Sequence, residues 1–62
     1  MPFINIRIFE GHSKERKARI ADKITEIVNQ ETEVPKEFIW VTFQDIPADE
    51  WSIGGKMCGK AK

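Results

Sequence analysis

The sequence predicts an α/β fold: one β-α-β unit closed by a carboxy-terminal β-hairpin, in a single domain spanning residues 1–62. Three observations predict it. Apolar residues alternate with period two near the amino terminus, a long stretch of helical periodicity follows, and a second β-rich run then leads to a Gly-Gly pair. Strand, helix and strand in that order form a crossover unit. Such a unit places its two strands parallel with a right-handed connection.

The first strand is "FINIRIF", residues 3 to 9. Ile4, Ile6 and Ile8 fall on one face, and Phe3, Asn5, Arg7 and Phe9 on the other. Pro2 stands just before it. A strand's first position tolerates proline, because the missing N–H is lost from the end of the ladder. Gly11 breaks the strand, and Ser13 sits where a helix N-cap belongs, with Glu15 in the first turn to complement the helix dipole. The capping box is incomplete, since Arg16 occupies the position from which Glu or Gln would reach back.

The helix is expected from Lys14 to about Glu31. Ile20, Ala21, Ile24, Ile27 and Val28 recur at helical spacing and leave Lys17, Arg19, Lys23, Glu26 and Gln30 toward water. Val34-Pro35 ends it. The second strand is expected from Phe38 to about Asp45, with Ile39, Val41 and Phe43 facing the helix and Phe38, Trp40 and Thr42 opposite. Pro47 closes it. In the remaining "ADEWSIGGKMCGKAK", Gly54-Gly55 marks a tight hairpin turn between two short strands.

One helix covers one face of a small sheet, yet both strands carry large apolar residues on both faces. The bare face, with Phe3, Phe9, Phe38 and Trp40, needs another chain to bury it. Size points the same way. A chain of 62 residues buries only about 60% of its unfolded surface and needs support from disulfides, metal or assembly. One Cys and one His allow neither an internal disulfide nor a convincing zinc site. A homo-oligomer is therefore expected.

Ten basic and ten acidic residues give zero net charge, which argues against nucleic-acid or anionic-membrane partners. The lysines between Lys56 and Lys62 read as a solvated tail. Neither a signal peptide nor an apolar run of membrane-spanning length is evident, so a cytoplasmic location is expected. Cys58 has no histidine near it in sequence and reads as an inert thiol.

Met1-Pro2, the Glu10-Gly11 pair followed by Ser13, Pro35 before the second strand and "WSIGGK" at 51–56 together resemble the 4-oxalocrotonate tautomerase family. The resemblance covers essentially the whole chain. It implies that two protomers pair into a four-stranded sheet and that three such dimers form a hexamer. It further implies an isomerase without cofactor or metal, interconverting enol and keto forms of a small 2-oxo acid. Pro2, once Met1 is removed, would be the general base. An ordinary α-amino group has a pKa near ~7.7–8.0 and is mostly protonated at neutral pH. An apolar pocket disfavours its charged form and makes it a usable base.

Phe9, Trp51 and Ile53 occupy positions that resemble the family's pocket-lining residues. Two departures stand out. Where the dicarboxylate-specific members carry arginines, this chain has His12 and Trp40. His12 either supplies a charge or hydrogen bond to the substrate or is a solvent-facing loop residue. Trp40 reads mainly as a wall or interface residue, with one N–H to donate. Arg7 and Lys62 are substitute cations. Ile53 stands where hydrating and dehalogenating relatives place a carboxylate, which argues against those reactions. A neutral secondary amine also forms iminium adducts with carbonyls, a side activity on this reading. The alternative is a small oligomeric binding protein that keeps the scaffold without catalysis.

Overall fold

The computed structural model describes residues 2–59. Its elements run β1 (Phe3–Phe9), α1 (Lys14–Thr32), β2 (Trp40–Ile46), β3 (Ser52–Ile53) and β4 (Lys56–Met57), with single 3-10 turns at Lys36–Phe38 and Ala48–Glu50. β1 and β2 pair in parallel, from Phe3 opposite Trp40 to Phe9 opposite Ile46. β3 and β4 form an antiparallel hairpin. This is the β-α-β unit with a terminal hairpin that the sequence predicts.

The helix begins where its cap dictates: the Ser13 hydroxyl accepts the Arg16 backbone N–H at 3.1 Å. It ends on Glu33, which takes the left-handed conformation (φ 65°) and donates its N–H to the Asn29 carbonyl. The Asn29 side chain then donates to the Val34 carbonyl at 2.8 Å, tying the exit to the last turn. Proline at 35 cannot continue the helix.

α1 lies on the face carrying Ile4, Ile6, Ile8, Val41 and Phe43, all half-buried, and Ile39 beside them is the most buried of the described residues at 7% exposure. Three expectations need correction. Phe38 is not in β2. Its N–H donates to the Pro35 carbonyl and that of Ile39 to the Lys36 carbonyl, so these groups are spent on a turn and the ladder starts at Trp40. Lys17 does not simply face water, because its ammonium reaches down to the helix side of the sheet and pairs with Asp45 at 2.7 Å. Ile27 follows the helical periodicity but remains exposed, lying to one side of a stripe that two strands are too narrow to cover.

The opposite sheet face is bare in the single protomer. Phe3, Trp40 and Phe9 are 63%, 55% and 42% exposed. Between the aromatic ends lie two polar rungs, Asn5 donating to Thr42 at 2.8 Å and Arg7 donating to Gln44 at 3.2 Å. The protomer is a thin slab, 13 Å along its shortest axis, with a radius of gyration of 14.6 Å. A compact chain of this length would have about 11 Å. The shape is that of half a core.

In the hairpin, Gly54 and Gly55 have φ of +62° and +87°. Positive values at both central residues are what a type I′ turn requires to match strand twist, and L side chains adopt them at a cost.

Candidate active site

Parallel pairing sorts the candidate residues into two groups at opposite ends of the sheet. At one end is Pro2, half-buried, whose carbonyl accepts the Trp40 N–H at 3.1 Å. Phe3 and Trp40, the first opposed pair of the β1–β2 ladder, come immediately after it. The bond extends the ladder one residue past β1 and fixes where the proline ring sits. Trp40 thus serves Pro2 first through its backbone, while its indole remains largely uncovered.

At the other end Phe9 packs on Trp51, with ring centroids 4.3 Å apart and planes tilted by 54°. Trp51 is held in turn by its own carbonyl, which accepts the Cys58 N–H at 2.7 Å and anchors the hairpin. The Glu10 N–H donates to the Ile46 carbonyl, so the β1–β2 ladder continues to the residue before Gly11. The chain then reverses through Gly11 (φ 111°) into His12. Ile53 projects from the hairpin, 66% exposed. The Phe9–Trp51 contact therefore forms an apolar wall, and Ile53 extends apolar surface beyond it.

His12 is neither isolated nor freely solvent-facing. Its Nδ1 lies 3.1 Å from the Arg16 guanidinium, one helical turn on, and the ring is half-buried. Arg16 is the residue that the sequence reading assigned only a missing capping role. The signal was present in the i, i+4 spacing of His12 and Arg16, which brings neighbouring side chains together at a helix start. Arg7 stands mid-sheet on the bare face, bonded to neutral Gln44. Lys62 lies outside the described residues. Cys58 is exposed and forms no disulfide among the described residues.

Six steps of β-strand separate Phe3 from Phe9, roughly 20 Å at ~3.3 Å per residue. One protomer therefore does not bring Pro2 and Trp40 together with Phe9, His12, Trp51 and Ile53. Among the described residues no cavity forms within it, and no three His, Cys, Asp or Glu side chains cluster to hold a metal. No described helix is long and apolar enough to cross a membrane. Away from both groups, Lys36 bonds Glu26 at 2.7 Å, and the hydrogen bond and charge of that carboxylate hold its ammonium above the usual lysine value.

The chain matches the family model described as tautomerase enzyme over residues 2–61. A probable tautomerase of Streptococcus mutans is 40% identical over 57 residues, covering 92% of this chain and 93% of the relative. Among solved structures, a 4-oxalocrotonate tautomerase isozyme from Methylibium petroleiphilum superposes with a TM-score of 0.86 at 33% identity, over 92% of each chain. The heterohexameric 4-oxalocrotonate tautomerase from Chloroflexus aurantiacus gives 0.87 at 28% identity, over 94% of each. The same β-α-β fold and the match along nearly the whole chain lead to one conclusion: this protein belongs to the tautomerase family and is an isomerase.

Proposed function

We propose that Pro2, freed as the amino terminus by removal of Met1, is the general base of a cofactor-independent tautomerase acting on the enol and keto forms of a small 2-oxo acid. The observation that carries this reading is the placement of Pro2. Its carbonyl is tied to the Trp40 N–H, so the residue is held at the very start of the sheet, next to the Phe3–Trp40 pair of the ladder. Covering Phe3 and Trp40 by a neighbouring copy would desolvate the amine and lower its pKa, leaving a neutral lone pair near pH 7. That lone pair takes the enol hydroxyl proton and returns it to carbon farther along the conjugated system. The bonds to oxygen and carbon exchange one proton, with no net redox change.

The rest of the site comes from another copy on this reading. Both strands of a protomer run the same way, so its Pro2 and its Phe9–Trp51 wall never meet. A second sheet running antiparallel places the Phe9, His12, Trp51 and Ile53 end of one copy against the Pro2 and Trp40 end of the other. Dimers with a four-stranded sheet, three to a hexamer, would supply this contact and bury the bare face. The hexameric state of the Chloroflexus relative supports that arrangement. In such a site Trp51 and Ile53 exclude water, Trp40 closes the mouth, and His12 or Lys62 holds the polar end of the substrate.

The test uses phenylenolpyruvate with wild type and Pro2→Ala, each confirmed free of Met1 by intact mass. Wild type should ketonise the substrate, with a rate that rises as pH passes an apparent pKa below the ordinary ~7.7–8.0 of an amino terminus, because the neutral amine is the active form. Pro2→Ala should lose most of this activity. A Met1-retaining form, in which the Pro2 nitrogen is a tertiary amide with no basic lone pair, should be inactive. Full turnover by that form would refute the proline-base mechanism. A folded, Met1-free oligomer without turnover would leave a binding protein on the same scaffold.

A further inference from the structure

We infer that the Arg16 guanidinium, pinned by a neutral His12, is the group that binds the substrate carboxylate, a role that rests on the tautomerase reading above and goes beyond the residues named there. The argument starts from one contact. Arg16 Nη1 and His12 Nδ1 are 3.1 Å apart. Guanidinium nitrogens donate and do not accept, and arginine stays protonated at any physiological pH. The proton in this bond therefore belongs to Arg16. His12 Nδ1 is the acceptor, and the ring is the neutral tautomer carrying its hydrogen on Nε2. A protonated His12 would set two cationic donors against each other.

The pairing has two consequences. It fixes a long side chain that would otherwise sweep through solvent, and so lowers the entropy lost when a ligand is gripped. It also spends a single N–H of the guanidinium on a neutral acceptor. The charge is left uncompensated and the remaining donors are available in the planar array that suits a carboxylate. Lys17, the next residue, is neutralised by Asp45 at 2.7 Å, so its charge is already spent. Among the described residues Arg16 pairs with no carboxylate, although Glu10 and Glu15 are close in sequence.

Position supplies the last element. His12 follows Phe9 by three residues, at the sheet end where Phe9 and Trp51 pack 4.3 Å apart. An apolar wall and a held guanidinium at one end of the molecule match a ligand with an aromatic or alkyl body and one carboxylate. His12 positions the cation, and Arg16 makes the contact.

The test measures binding, so it stands even if Pro2 proves not to be the base. The assembled, Met1-free protein is titrated with 3-phenylpropionate, which has the ring and carboxylate but no ketone, and with 3-phenylpropanol as the uncharged control. Side-chain NMR signals of Arg16 and His12 should move with the acid. Arg16→Gln should weaken the acid about tenfold or more, the range for a hydrogen bond to a charged group, and leave the alcohol unchanged. Arg16→Lys should fall between. The fold is preserved in these variants, because the N-cap bond uses the Arg16 backbone N–H and the side chain is exposed. In turnover of phenylenolpyruvate the same change should raise KM and leave kcat within about twofold. Equal affinity of wild type and Arg16→Gln for the acid would overturn the proposal, as would failure of wild type to bind it at millimolar concentration.

Discussion

Replacing Trp40 by aspartate tests whether the bare sheet face is an interface. The indole is 55% exposed in the protomer and stands beside Phe3, which is 63% exposed. A large aromatic offers up to ~250 Å². Trp40 therefore leaves on the order of 140 Å² for a neighbour to cover, worth about 3.5 kcal/mol at ~25 cal/mol per Å². The difference between wild type and variant is sounder than any absolute sum, because the translational and rotational cost of association is common to both. The aspartate also places an unpaired carboxylate against apolar surface, which adds to the loss. Association at each contact should weaken by at least a few hundredfold. Sedimentation velocity over a hundredfold concentration range reads this directly. Wild type should stay assembled at micromolar concentration, and Trp40→Asp should dissociate with tautomerase activity falling in parallel. Lys23→Glu, on an exposed helix position, is the control and should leave assembly unchanged. An unchanged oligomer for Trp40→Asp, or a monodisperse wild-type monomer, would refute the reasoning.

Two further outcomes follow from local contacts. Asp45→Ala should lower stability by about 1 kcal/mol, because the Lys17 ammonium, 22% exposed, loses its carboxylate partner. Thermal unfolding at fixed protomer concentration should show a drop of several degrees that shrinks in high salt. Gly55→Val should cost about 1–3 kcal/mol of hairpin stability through backbone strain alone, since φ is +87° and an added Cβ meets nothing within 4 Å. Faster amide exchange at Cys58, whose N–H closes the hairpin onto Trp51, is the signature. Unchanged exchange there would show that the turn tolerates the substitution.

Much of the fold was legible because its causes are local. Alternation in "FINIRIF" and its burial in the structure agree residue by residue, and Ser13, Val34-Pro35 and Gly54-Gly55 mark boundaries by chemistry confined to a few neighbours. The bare aromatic face was legible too, since a two-stranded sheet with one helix leaves one side uncovered whatever the details. Phe38 misled because its β-propensity is real, but Pro35 diverts the following backbone donors into a turn before the ladder can begin. Lys17 misled because its partner, Asp45, lies 28 residues away, and no helical periodicity reports such a contact.

The site divides along the same line. The sequence by itself determined which residue types are available: a proline ahead of a strand, the aromatics Phe9, Trp40 and Trp51, and the basic residues along the helix. Only tertiary structure decided how they are grouped. Parallel pairing of β1 with β2 sends Pro2 and Trp40 to one end and Phe9, Trp51 and His12 to the other. The His12–Arg16 contact is the exception, a local one set by i, i+4 spacing at the helix start. A linear pattern records spacing along one chain. Strand direction across the sheet sets the distance between those ends, and a rigid strand cannot fold back to close it.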